Sequence, residues 1–164
     1  MNVRPVLRAD VPAIASLYSH YVLHTTISFE EAEIDADAMG QRVDEVVSAG
    51  LPWLVAEHAG EVRGFAYAGK WKTRSAYRFS VESSVYVAPH HVGQGIGASL
   101  YAPLLSALRA QGLHTVLGGI ALPNDASVRL HERCGFVKCA HLSEVGFKFG
   151  RWIDVGYWQL RLRD

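Results

Sequence analysis

Val85-Tyr86-Val87-Ala88-Pro89-His90-His91-Val92-Gly93-Gln94-Gly95-Ile96-Gly97-Ala98 is the stretch on which the reading of the fold turns. Ser80 to Val87 alternates as a strand and stops before Pro89, while Ile96, Leu100, Leu104, Leu105 and Leu108 repeat at helical spacing as far as Gly112. A strand therefore runs through a glycine loop into a helix. Glycines at every second position let a ligand come close to the backbone. The unpaired N–H groups of the helix N-terminus point at an anion there, aided by the helix dipole. Two phosphate motifs fail on spacing. The dinucleotide fingerprint needs an acidic residue about 20 positions further on, and Ser99 to Asn124 holds no Asp or Glu. A P-loop needs Lys then Ser or Thr where Ile96-Gly97 stand.

Working outward, strands and helices alternate. Val3 to Leu7 reads as a strand. Asp10 can cap a helix whose apolar face is Val11, Ile14, Leu17, Tyr18 and Tyr21, and a second helix runs from about Asp35 to a stop at Gly50 and Pro52. Trp53–His58 and Val62–Trp71 flank Ala59-Gly60-Glu61 as a hairpin. Further on come a strand from His114 to Leu122, a short helix from Ala126 to Cys134 closed by Gly135, and strands around Phe136–His141 and Trp152–Arg161. An antiparallel meander followed by strand–helix–strand units predicts an α+β fold with one mixed sheet, in a single domain spanning residues 1–164.

The 164 residues are 49% apolar and 20% charged, enough to bury a sizeable core. Sixteen basic residues balance sixteen acidic ones, which argues against a polyanion such as nucleic acid as partner. Charge is nevertheless blocked. Glu30, Glu31, Glu33, Asp35 and Asp37 form an acidic run, and Lys70, Lys72, Arg74 and Arg78 a basic one. Only Cys134 and Cys139 occur, and no apolar run has the length of a membrane span, so a cytoplasmic protein without membrane attachment is expected. His131, Cys134, Cys139 and His141 lack the paired spacing of zinc ligands, so no metal is expected.

Taken with Asn124, Ser127, Leu130, His131, Gly135 and Phe136, the glycine loop resembles that of the GNAT superfamily of acetyl-CoA-dependent N-acetyltransferases. Leu122-Pro123-Asn124-Asp125-Ala126-Ser127-Val128-Arg129-Leu130-His131-Glu132, and the run from Gly146 to Leu160, are similar within it to the phosphinothricin and methionine sulfoximine acetyltransferases. That resemblance covers Val3 to about Leu160. It implies a mostly antiparallel twisted sheet flanked by about four helices, acetyl-CoA as acetyl donor, a small amino-acid-like amine as acceptor, and a homodimer. In the family a Gln or Arg at the position of Val92 helps hold the pyrophosphate, so one contact is missing here while the backbone cradle from Gly93 to Ala98 remains.

Acetyl transfer to an amine by direct attack, through a tetrahedral intermediate, needs a base, a polarised carbonyl and a proton for the departing thiolate. Glu82, on the strand entering the loop, matches the subfamily's base, and His131 stands where many relatives carry a tyrosine acid. By the same resemblance, Val85, Tyr86 and Val87 present the N–H donors for the carbonyl. Gly93, Gln94, Gly95, Ile96, Gly97 and Ala98 hold the pyrophosphate, and Asn124 and Ser127 the pantetheine arm. Lys72, Thr73, Arg74 and the segment Glu82, Ser83, Ser84 line the acceptor pocket, and a guanidinium from Arg74 or Arg78 suits an acceptor carboxylate. Two readings compete with this one: acetylation of protein or peptide amines, and a CoA-binding module without catalysis, for which Val92 speaks.

Overall fold

The computed structural model describes residues 1–162. Seven strands, β1 (Asn2–Pro5), β2 (Trp53–His58), β3 (Glu61–Lys70), β4 (Ser80–Val87), β5 (Thr115–Ala121), β6 (Val137–Lys148) and β7 (Arg151–Arg161), form one sheet in the order β1-β2-β3-β4-β5-β7-β6. Four α-helices, α1 (Val11–His24), α2 (Ala36–Ser48), α3 (Ile96–Ala110) and α4 (Asp125–Arg133), accompany the sheet, with 3-10 turns at Arg8–Asp10, Ser75–Tyr77 and Pro89–His91. Every neighbouring strand pair is antiparallel except β4 with β5. The α+β expectation is met.

Helices cover both faces of the sheet. Trp53 and Val55 of β2 join the cluster under α1 and α2, with Ile14, Val22 and Met39; Leu54 and Ala56 join Leu100, Leu104 and Leu108 of α3 on the other side. With both faces covered, β2 buries four consecutive residues and reads as an unbroken apolar run. Local chemistry sets the boundaries. The Asp35 carboxylate accepts from the Ala38 N–H at 2.8 Å and caps α2, and Ala59 and Gly60, at φ 52° and 83°, make the two-residue turn of the β2–β3 hairpin.

Two expectations are corrected. The Asp10 side chain does not cap α1; its carboxylate takes both Arg4 Nη1 (2.8 Å) and Nη2 (2.9 Å) and the Leu7 N–H (2.7 Å), tying β1 to the helix start. A guanidinium outcompetes helix N–H groups for that carboxylate. The sixth strand does not end at His141. It continues through an irregularity between Leu142 and Gly146, where Glu144 has φ 51°, and regains pairing at Gly146–Ile153. Such a bulge breaks the alternation that marks a strand.

One feature of the sheet positions the site. β4 and β5 pair only from Ser80–Thr115 to Glu82–Leu117, whereas β3 stays with β4 to Val87 and β7 stays with β5 to Ala121. From Ser83 onward the two central strands part and open a wedge.

Candidate functional site

The glycine loop meets this wedge from one side. Gly93 and Gly95 hold φ of 84° and 79°, a left-handed geometry that a side chain would strain, and Gly95 delivers the chain into α3. The first α3 bond of this turn runs from Ser99 N–H to the Gly95 carbonyl, and among the described residues no protein acceptor takes the N–H of Ile96, Gly97 or Ala98. These donors face a groove of about 520 Å³ lined by Val85, Tyr86, Val87, Gly93, Gly95 and Asn124, with Ser127 beside them. Gln94 is exposed and turns its amide to the His90 carbonyl (3.4 Å). Val92 lines the groove without offering a donor, but Arg129 and Arg133, one turn apart on α4, bring two cations to it. Sequence reasoning missed them. Their spacing of four on a helix opening at Asn124 was the available signal.

α4 starts where the Asn124 side chain accepts from the Ser127 N–H (3.1 Å), and this orients His131 into the wedge. The His131 ring is 3% exposed. Its Nδ1 lies 2.7 Å from the Ser127 carbonyl, which can only accept, so Nδ1 carries the proton and Nε2 accepts from the Tyr101 hydroxyl at 2.8 Å. Tyr101 in turn takes the Ser83 hydroxyl proton at 3.0 Å. Burial pulls the His131 pKa down, which agrees with a neutral ring. Gly118 is required opposite: a β-carbon there would stand 2.6 Å from His131 Nε2.

Glu82 and His131 border the same cavity of about 160 Å³ in the wedge, together with Ser83, Ser84, Val85 and Asn124. Burial raises the Glu82 pKa, opposed by the charge of Lys72. Glu82 also faces a second cavity of about 530 Å³, walled by Tyr18, Ile27, Phe29, Tyr86 and Tyr157. Tyr86 and Ile27 line groove, wedge and cavity alike, so the three meet at β4. Within the cavity Glu30 is already spoken for: Arg42 donates through both Nη atoms (Nη1 at 2.9 Å) and Tyr18 donates its hydroxyl. The Arg42 bonds hold the Glu30 carboxyl below its usual range, and burial with the Glu30 bond pushes Tyr18 up to about 12.

The fold keeps the basic run together, in a cavity apart from the wedge. Lys72, whose charge acts on Glu82, is joined by Thr73, Arg74 and Arg78 along a separate cavity of about 530 Å³ that lies against Gly50 and Gln111. Lys72 is thus the member of the run whose charge reaches Glu82. Lys72, Thr73, Arg74 and Arg78 line neither the wedge nor the larger cavity at Glu82, contrary to the expectation that Lys72, Thr73 and Arg74 share a pocket with Glu82, Ser83 and Ser84, because the loop after β3 folds back towards the ends of α2 and α3. His131, Cys134, Cys139 and His141 do not converge: among the described residues no group of three or more possible ligands could hold a metal. No described helix is long and apolar enough to cross a membrane.

Comparison with known proteins follows the same outline. Residues 14–136 match the acetyltransferase (GNAT) family. The chain is 42% identical to a phosphinothricin N-acetyltransferase of Streptomyces viridochromogenes over 161 residues, 97% of this chain and 86% of that one. It is 40% identical to an L-methionine sulfoximine/L-methionine sulfone acetyltransferase of Salmonella typhimurium over 164 residues, 100% of this chain and 96% of that one. An acetyltransferase of Salmonella typhimurium solved with its cofactor acetyl-CoA superposes at a TM-score of 0.97, with 39% identity and coverage of 99% and 94%. A phosphinothricin acetyltransferase of Sinorhizobium meliloti in complex with acetyl-CoA gives 0.94, with 33% identity and coverage of 98% and 87%. The free N–H groups at the start of α3, the groove and its two arginines fit acetyl-CoA as co-substrate, and the chain belongs to the GNAT family of N-acetyltransferases.

Proposed function

We propose that the protein acetylates the α-amine of a small amino-acid-like acceptor, of the phosphinothricin or methionine sulfoximine kind named for its relatives. The observation that carries this is Glu82, a half-buried carboxylate of raised pKa standing where the CoA groove, the wedge and an aromatic-walled cavity meet. Acetyl-CoA supplies the activated acyl group. Glu82 takes the proton of the incoming ammonium, and its raised pKa makes it the stronger base near neutrality. The N–H groups of Val85 and Val87, on the wedge side of β4 that no strand opposes, polarise the carbonyl, while that of Tyr86 faces β3. Lys72, at the edge of the basic run, attracts the acceptor carboxylate, with Thr73, Arg74 and Arg78 extending the positive field behind it.

We assign return of a proton to the thiolate to His131, reached through the Tyr101 and Ser83 hydroxyls. With Nδ1 committed to Ser127, only the imidazolium has a proton to give from Nε2, and burial confines that form to lower pH. The homodimer belongs to the same reading. Phe147, Phe149 and Trp152 at the β6–β7 turn are 56%, 59% and 62% exposed, an apolar surface at the sheet edge. The two free cysteines accord with work in the cytoplasm.

The test is CoA thiol release with L-phosphinothricin, L-methionine sulfoximine and L-methionine sulfone in turn. Turnover with at least one is expected, with a decline in kcat as pH rises through the depressed His131 pKa, below the ordinary histidine range, that His131→Gln removes. Acetylation of peptide N-termini with silence towards all three would reassign the activity to protein modification. Tight acetyl-CoA binding without any turnover would leave a binding module.

A further inference from the structure

Lys148, the last residue of β6, is 1% exposed, an unusual place for an ammonium. Among the described residues no carboxylate pairs with it at contact distance. Its Nζ instead donates to the carbonyls of Val22 and Ser28, both at 2.7 Å and both more than a hundred residues away in sequence. Val22 lies in the last turn of α1, where carbonyls have no partner within the helix, and Ser28 lies in the loop that follows. One side chain thus spans the end of α1 and the loop.

That loop brings Ile27, Ser28, Phe29 and Glu30 to the cavity shared with Glu82. A second contact fixes it from the same strand. The Phe29 ring lies against Gly146 so closely that a β-carbon at 146 would overlap it. The end of β6 therefore holds the loop twice, by two hydrogen bonds at Lys148 and by close approach at Gly146. Stability alone does not explain the lysine. Burial disfavours the ammonium and lowers the Lys148 pKa although the charges of Glu31 and Glu30 favour it, and an apolar side chain of similar length would fill the space without that cost.

We propose that Lys148 is a positioning residue for acceptor specificity: it seats the α1–α2 loop so that Phe29 and Ile27 wall the acceptor cavity. It touches neither acetyl-CoA nor the reacting atoms. The inference rests on the acceptor reading given above, and its first readout is independent of that reading.

Lys148→Met keeps the stem and removes the donors. Hydrogen exchange at the amides of residues 25–30 should accelerate, and the acceptor KM should rise about tenfold or more, with a smaller change in kcat and a much smaller loss of acetyl-CoA affinity, because Ile27 alone of this loop lines the groove. Gly146→Ala, which leaves the ammonium in place and displaces Phe29, should raise the acceptor KM in the same selective way and serves if Lys148→Met does not fold. Unchanged loop exchange overturns the proposal, as does a faster loop with an unaltered acceptor KM. An equal loss of acetyl-CoA affinity also overturns it, since that marks general destabilisation. A wild-type enzyme inert towards amino-acid acceptors sinks the acceptor reading, while loop exchange still decides whether Lys148 is the seat.

Discussion

The ionisation of Glu82 is set by two opposed influences. Burial favours its neutral form and Lys72 favours the ionised one. Because the base must be ionised, kcat/KM should climb with pH through a value above the ordinary glutamate range. Lys72→Met removes the opposing charge, so the Glu82 pKa rises further and this acid limb moves to higher pH; a limb that stays in place, or moves to lower pH, contradicts the assignment. Glu82→Gln should lose about 10²–10⁴-fold in kcat while isothermal titration finds acetyl-CoA binding intact. At this scale it was the family resemblance that singled out Glu82, His131, Asn124 and Ser127, and the fold brings all four to the wedge. The engagement of both His131 nitrogens was not legible. It depends on Tyr101 and the Ser127 carbonyl converging on the ring, which only packing brings about.

Elements were readable where their signals are local. The α2 cap, the Ala59-Gly60 turn and the glycine entry to α3 each occupy a few adjacent residues, and each appears where the residues imply. Asp10 shows the limit, since its carboxylate turned to Arg4 of a different element. That pairing holds its pKa below the usual aspartate range, with the Arg4 bonds the leading cause. The stability it contributes is therefore complete above the ordinary aspartate pKa and fades as pH falls through the depressed folded-state value. Asp10→Asn should cost about 2 kcal/mol in urea denaturation near neutral pH, and this deficit should shrink in strong acid. A deficit independent of pH would show that lost packing, not charge, is responsible.

At the scale of the whole molecule, β6 is exposed almost throughout and forms one edge of the sheet, with apolar side chains at the turn into β7. An edge of that kind is covered in a stable protein or invites association. Trp152→Glu should convert a sedimenting dimer to monomer with little change in urea stability of the fold itself; a wild-type chain that sediments as monomer at all concentrations removes the dimer. By itself the sequence determined the class of fold, because capping and turn signals depend on neighbours within about ten positions, and the family, through a resemblance that runs over nearly the whole chain. Tertiary structure alone decided where β4 and β5 separate, that the basic run gathers along a cavity apart from the wedge, and that Lys148 reaches Val22 and Ser28. These depend on strand register and on contacts across more than a hundred residues, whose geometry is set by how two helical layers pack on one sheet and leaves no periodic trace in the chain.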